Sequence, residues 1–434
     1  MIPSFSNPQS IFKSKIGITN NNNSGLEISG FARASAFGMG EEYDYASVFA
    51  EFCLNAKLDH KNAFLFTDLR FRSGINFDEK YSLVQIKEVF AGYESDKFDL
   101  YLGNQIISWG RTDGFNPTNN ITPNDYFFLS AENYDQKLPN FILRTKFHIN
   151  SAIDIELIGI PIYSPSKYRF DLFDFGEFVN FDPTNLPAKT YENASIASRI
   201  NFEYSRIGFS FSYFRGYDPF YGFTIQSIDP ENLQITNLPM PYFKNTFGGD
   251  MSVVIKSWIL RTEFAYDLSN NYNENMQIPN PNIYYVFGLE HKFWGIQTIL
   301  QFIGFHTLHF SQLELPILHN PTNPLEQIQY VNEMISYESE SFNRKIFHQQ
   351  KRNNYALSLM LNKSFAYNTW NIELNGYYNF TSDEIMVNSK LAYKINDALE
   401  ASLGGYYFGG PEKSVFHYSG SLLSGIFIQL KASF

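Results

Sequence analysis

LLSGIFIQLKASF, residues 422–434, closes the chain. Leu422, Ser424, Ile426, Ile428, Leu430 and Ala432 fall on one side of a two-residue period, Gln429 and Lys431 on the other, and the last residue is Phe434. A period of two is that of a β-strand, whose successive side chains point to opposite faces. One strand cannot cover its own apolar side, so something outside it must. The rest of the chain indicates what, because the same alternation recurs along nearly all of it.

Period-two segments of roughly ten residues, the length that crosses a bilayer at a barrel's tilt, occupy about eighteen stretches. They are 25–38, 43–59, 62–74, 81–95, 97–110, 138–149, 151–163, 194–205 and 207–217, then 245–256, 258–268, 281–293, 295–307, 352–366, 369–381, 384–397, 399–409 and 422–434. With the C-terminus placed in the periplasm, every second connection is tight: Asp59–Asn62, Ser95–Lys97, Asn150, Ser205–Arg206, Ser257, Trp294, Asn368 and Asn396–Ala398. Those between are often long: 111–137, 164–193, 218–244, 308–351 and 410–421. Short periplasmic turns and long extracellular loops are the asymmetry of an all-β transmembrane antiparallel barrel. A soluble sandwich has no reason to sort its loops this way. The segment 325–347 has helical character and is expected to cap the longest loop.

Composition agrees. Aromatic residues make up 18% of the 434, with 44 Phe and 29 Tyr, yet mean hydropathy is −0.26. That combination suits a wall facing lipid on one side and water on the other. No run of about 18 apolar residues would form a spanning helix. The net charge of −11 disfavours a nucleic-acid partner. Cys53 is the only cysteine, which excludes an internal disulfide. Residues 1–24 lack a basic segment followed by an apolar one. The expectation is a mature outer-membrane protein whose signal peptide has been removed, with 1–24 a periplasmic tail and 25–434 a single barrel in contact with lipid and lipopolysaccharide.

Alternation also assigns faces. Leu65, Leu69 and Phe71 face lipid where Asp68, Arg70 and Arg72 face inward; Arg144, Lys146 and His148 oppose Phe141, Leu143 and Phe147. Arg199, Asn201 and Glu203 face inward, as do Arg261, Glu263 and Asp267. A charge on the lipid face costs about 2–4 kcal/mol near the midplane, so these groups point into water or at one another. Two readings stand: ion pairs bracing the wall, such as Arg144 or Lys146 with Asp154 or Glu156, or a basic ladder of Arg70, Arg72, Arg144, Lys146, Arg199 and Arg261 guiding an anionic solute. Trp258, Phe293, Trp294, Trp370 and Phe434 are expected in the periplasmic aromatic girdle.

The fifth strand and its loop carry the densest pattern, IKEVFAGYESDKFDLYLGNQIISWGRTDGFNPTNNITPNDYF over 86–127. Asp99, Tyr101, Gly103, Gln105, Trp109 and Arg111 share the inward side, and Gly103 would make room in the lumen. Loops this long are usually functional or disordered, and 111–137 follows the fifth strand, where general porins fold a constriction loop inward. Glu88-x-Phe90, then Gly103-Asn104-Gln105-x-x-x-Trp109-Gly110-x-x-Asp113, then Pro117, Pro123 and Asp125, resembles the signature of a proteobacterial porin-like outer-membrane family of unknown function. That family is associated with RND-type transporters and with channels for poorly soluble compounds. Asn104 stands where the family commonly has Arg, and Val89-Phe90 where it has Ala-Tyr. The resemblance implies an outer-membrane channel, with Glu88, Gln105, Trp109, Arg111, Asp113 and Asp125 joining the six basic residues above as pore-lining or constriction residues, either anchoring the loop or touching solute. It also implies barrel-assembly machinery as a partner in biogenesis, reading the terminal aromatic.

No catalytic constellation, phosphate-binding glycine loop or zinc spacing occurs. His306 and His309 lack a matched ligand set. The expectation is a non-enzymatic channel without metal or cofactor that passes small solutes, anionic or poorly soluble organic ones included. The alternative is a sealed barrel whose long loops serve adhesion or partner docking.

Overall fold

The computed structural model describes residues 25–42, 44–229, 234–272 and 274–434; the expected tail, 1–24, lies outside them. The chain order begins with β1 (Gly25–Gly38), β2 (Tyr45–His60), β3 (Ala63–Asn76), β4 (Glu79–Glu94), β5 (Phe98–Gln105), β6 (Asn140–Asn150) and β7 (Ile153–Ile160). After β8 (Val179–Phe181) come β9 (Ser195–Glu203) and β10 (Ile207–Tyr217); after β11 (Gly222–Asp229) and β12 (Gln234–Met240) come β13 (Phe243–Ile255), β14 (Trp258–Ser269), β15 (Asn282–Phe293) and β16 (Ile296–Thr307). The last five strands are β17 (Asn353–Phe365), β18 (Trp370–Asn379), β19 (Glu384–Lys394), β20 (Leu399–Gly409) and β21 (Gly425–Ser433). Among the described residues eighteen strands, all but β8, β11 and β12, form one sheet. Its pairs are antiparallel, and β1 pairs with both β2 and β21, with Phe31 opposite Ser433 and Gly38 opposite Ile426, which closes the ring.

The wall alternates as lipid requires. Leu65, Phe71, Leu100 and Leu102 stand exposed on the outer face while Asp68, Arg70 and Arg72 are buried within. An apolar outer surface around a polar interior is the inverse of a soluble barrel and that of a membrane-spanning one. Phe434 completes the outer wall: its ring stacks on Phe52 at 5.8 Å, and its backbone exchanges two 3.0 Å hydrogen bonds with Gly30. A side chain at Gly30 would meet the Cys53 carbonyl at 2.1 Å and the Phe434 ring at 2.8 Å, so this seam needs glycine. At the same periplasmic end Trp258 stacks on His291 at 4.1 Å and Trp370 packs on Tyr393 at 4.4 Å.

Most strand boundaries fall within three residues of expectation, and two of the differences change where side chains point. The last strand begins at Gly425, because Val415–Leu423 is a helix, α2, capped by Ser414, whose Oγ accepts from the His417 N–H at 3.1 Å. Leu422 therefore packs in the extracellular cluster beside Phe416 and Phe427 rather than against lipid. The fifth strand stops at Gln105 instead of 110, and residues 106–110 turn away from the wall. Gly103 has φ +138°, and a Cβ there would meet the Val89 carbonyl at 2.2 Å. Its smallness serves the neighbouring strand's backbone rather than lumen space.

The long loops build a cap that the alternation did not reveal. β11 pairs antiparallel with β12, which runs parallel to β8. Helix α1 (Pro324–Ile346) matches the expected helical segment. Asn323 caps it through the Leu325 N–H, with Pro324 in the first turn and Arg344 and Lys345 in the last, as helix-end electrostatics favour. Asn343 fastens α1 to β11, accepting from Phe223 N–H at 2.8 Å and donating to its carbonyl at 2.7 Å. Around that joint Phe170, Phe173, Phe175, Phe181, Phe223 and Phe342 form one aromatic cluster.

Candidate functional site

Residues 106–139 leave the top of β5, cross the lumen and return to β6, touching the wall on nearly every side. The entry is fixed first. Glu88 accepts the Ile106 N–H at 2.9 Å, Gln105 donates to the Ile142 carbonyl at 3.0 Å, and the Trp109 indole donates to Glu156 at 3.0 Å. The chain then wraps around one carboxylate on the far wall. Glu263 of β14, fully buried, accepts from the backbone N–H groups of Arg111 (3.1 Å), Thr112 (3.3 Å) and Thr118 (2.9 Å), from the hydroxyls of Thr112 (2.7 Å) and Thr118 (2.8 Å), and from the Asn116 amide (3.3 Å). Gly110 makes the approach possible: its φ is +103°, and a Cβ would lie 2.4 Å from a Glu263 oxygen. Beside this turn Arg111 donates to Asp250 (2.6 Å), Asn201 (2.8 Å) and Glu203 (2.5 Å), and Asp113 pairs with Arg261.

The returning half is anchored on the opposite wall. Asp135, in the loop, accepts from Arg33 of β1 and Arg70 of β3, each at 2.6 Å, and from Ser130. Burial alone would raise the Asp135 carboxyl; the two guanidiniums and Lys87 hold it well below the usual carboxylate range. Glu51 completes the cluster with Arg33 (2.8 Å) and Arg72 (2.5 Å), and Asp68 with Arg70 (3.0 Å). Lys87, 1% exposed, donates to the Asp135 carbonyl at 2.7 Å and to that of Lys137. It reaches inward because the β3–β4 register skips it, pairing Asp68 with Glu88 and Leu69 with Ile86. Such a bulge turns two consecutive side chains, Lys87 and Glu88, toward the lumen. Between the anchors the loop stacks Phe115 on Tyr377 (5.4 Å), Lys390 reaches Glu132 (3.2 Å), and the Tyr406 hydroxyl donates to the Ser130 carbonyl (2.9 Å).

Of the twelve residues singled out from sequence, Trp109, Arg111, Asp113 and Asp125 lie in the 106–139 loop, Gln105 lies at its entry, and Glu88, Arg70, Arg72, Arg199 and Arg261 touch it, whereas Arg144 and Lys146 pair along the wall. Arg144 pairs with Glu156, Lys146 with Asp154 (3.4 Å), Arg199 with Asp250 (2.9 Å), and Arg261 with Glu290 (2.6 Å) as well as Asp113. Arg70 and Arg72 belong to the Asp135–Glu51 cluster. A ladder of free guanidiniums is therefore not what the lumen presents. Glu88 holds the Tyr134 hydroxyl at 2.5 Å, and Asp125 caps a turn through the Phe127 N–H at 3.2 Å. Sequence reasoning placed Glu263 on the inward face without singling it out, and it passed over Arg33, Glu51, Lys87 and Asp135. Among the described residues no three His, Cys, Asp or Glu side chains gather as a metal group; His306 bonds Asn353 at 2.7 Å.

Several buried side-chain atoms lack a hydrogen-bond partner among the described residues, and one side-chain amide lacks it at both atoms. Neither amide atom of Gln301 on β16, fully buried, has a hydrogen-bond partner among the described residues. Leaving such a group unpaired costs about 1–3 kcal/mol. Gln301→Leu is expected to raise the temperature at which the barrel unfolds, read from its heat-modified gel mobility. An unchanged or lower temperature would mean that the amide is satisfied by solvent.

No family profile and no curated protein sequence matches the chain. Solved structures share its fold. Pseudomonas aeruginosa OccD3 (OpdP) has a TM-score of 0.55 at 9% identity, covering 100% of this chain and 99% of that one. P. aeruginosa OccK2 (OpdF) in complex with glucuronate gives 0.54 at 8% identity, covering 94% and 97%. The outer membrane protein OpdK of the same organism gives 0.53 at 8% identity, covering 94% and 98%. At such identities the likeness is one of fold.

Proposed function

We propose that this chain is a bacterial outer-membrane channel through which small solutes diffuse, with residues 106–139 as its constriction. The observation carrying this is the loop held inside a polar lumen by Glu263 on one wall and the Arg33–Arg70–Lys87 group on the other. Selectivity then follows from the width left beside the loop and from the hydrogen-bonding groups around it. The pairing of Arg70, Arg72, Arg111, Arg144, Lys146, Arg199 and Arg261 with carboxylates argues for weak charge selectivity. Organic acids as solutes are supported by the glucuronate complex of a fold neighbour, and poorly soluble compounds by the motif around Trp109. An RND-type transporter as partner rests on that motif alone, and recognition by barrel-assembly machinery on the Phe434 terminus. Ion conductance of the purified protein in a planar bilayer tests the reading. Discrete current steps support it, and folded protein that carries no current opposes it.

A further inference from the structure

The extracellular cap contains a hollow of about 330 Å³ between α1, the β8–β11–β12 sheet and the segment leading into α2, at the lower end of the size range of small-molecule sites. Its walls are the rings of Phe175, Phe181, Phe223, Phe342 and Tyr418 with the Met334 side chain. The rings support one another, Phe175 lying 4.9 Å from Phe342 and 4.7 Å from Tyr418, and Phe181 5.4 Å from Phe223, so the hollow is part of the packed cap.

Two polar groups in this apolar lining are unspent. The Asn237 side-chain oxygen is buried without a hydrogen-bond partner among the described residues. The Lys345 ammonium, half-buried, makes no ion pair within 4.0 Å among the described residues, whereas its neighbour Lys413 is matched by Glu338 at 2.8 Å. Glu384, the other carboxylate near Lys345, is occupied by the Phe416 N–H (2.8 Å) and the Ser382 hydroxyl (2.6 Å). The lining thus carries two cations and one anion. A half-buried, unmatched ammonium beside aromatic walls suits a ligand that is apolar along its body and anionic at one end.

We infer that this hollow is a binding site for an amphiphilic carboxylate, its body against the Phe175–Phe342–Tyr418 rings and its carboxylate on Lys345. The site lies outside the lumen and would concentrate such molecules at the cell surface.

The test is saturation-transfer NMR on the full chain in lipid nanodiscs, with empty discs as blank. The probes are 4-phenylbutyrate, octanoate and the uncharged 4-phenylbutanol. Saturable binding of a carboxylate to the wild type is expected, weakened at least tenfold by Lys345→Met, with 4-phenylbutanol binding equally to both proteins. The two carboxylates separate an aryl from an acyl preference. Equal carboxylate binding to both proteins, parallel loss of acid and alcohol, or no saturable binding overturns the inference. Because transport is not measured, this outcome is independent of the conductance test.

Discussion

Replacing Glu263 with alanine is expected to raise single-channel conductance several-fold while the barrel stays folded. The carboxylate satisfies six donors from residues 111–118 at once. Each buried donor left without an acceptor costs about 1–3 kcal/mol, so the 111–118 turn would move to where water can reach it. The barrel itself is held by backbone ladders that do not involve this side chain. Glu263→Gln, which retains one acceptor oxygen, should give an intermediate conductance. Gly110→Ala should resemble the alanine variant, because its Cβ would displace the same carboxylate and its backbone lies in the glycine-favoured region. Wild-type conductance from a correctly folded Glu263→Ala protein would show that this turn does not set the channel's width.

The second large effect is on stability. Asp135→Ala strips a carboxylate from between Arg33 and Arg70, which are buried to 4% and 2% exposure, and from beside Lys87. Removing one member of a buried ionic cluster typically costs about 3–5 kcal/mol, because the remaining charges stay desolvated. The variant should unfold at a markedly lower temperature by heat-modified gel mobility, and proteolysis should cut within 106–139 where the wild type is protected. The pH dependence has a definite sign. The folded-state Asp135 carboxyl titrates below its unfolded value, so the stability it contributes is present above the ordinary range near ~4. It is lost only as pH falls through the depressed folded value. The gap between wild type and variant should therefore persist through mild acid and close only in strong acid. A variant as stable as wild type at neutral pH would contradict the assignment.

The wall was legible because its physics is local. Period-two alternation and the sorting of tight turns from long loops located the eighteen barrel strands, most boundaries lying within a few residues of those observed. Where a local rule broke, legibility broke with it. The bulge at Lys87 shifts the parity of β4, and alternation alone does not reveal that a lysine between Ile86 and Glu88 points inward. The start of the last strand was misplaced because Leu422 satisfies the period of a strand as well as that of the α2 helix. The loop's anchors were legible only in part. The Trp109–Gly110–x–x–Asp113 pattern marked the right turn, yet its central partner, Glu263, lies 145 positions from Thr118, and no local period links them. The basic ladder was suggested by charges on inward faces; their carboxylate partners lie on neighbouring strands or in the loop, which alternation within one strand does not display. The three-stranded cap sheet went unseen because β8 is three residues long and pairs across distant loops.

The most direct measurement is single-channel conductance in planar bilayers for the wild type beside a variant lacking residues 113–130. Discrete steps from the wild type that grow several-fold on deletion, with heat-modified mobility confirming a folded barrel in both, are the expected result. Folded protein that carries no current with or without the loop would contradict a channel constricted by residues 106–139.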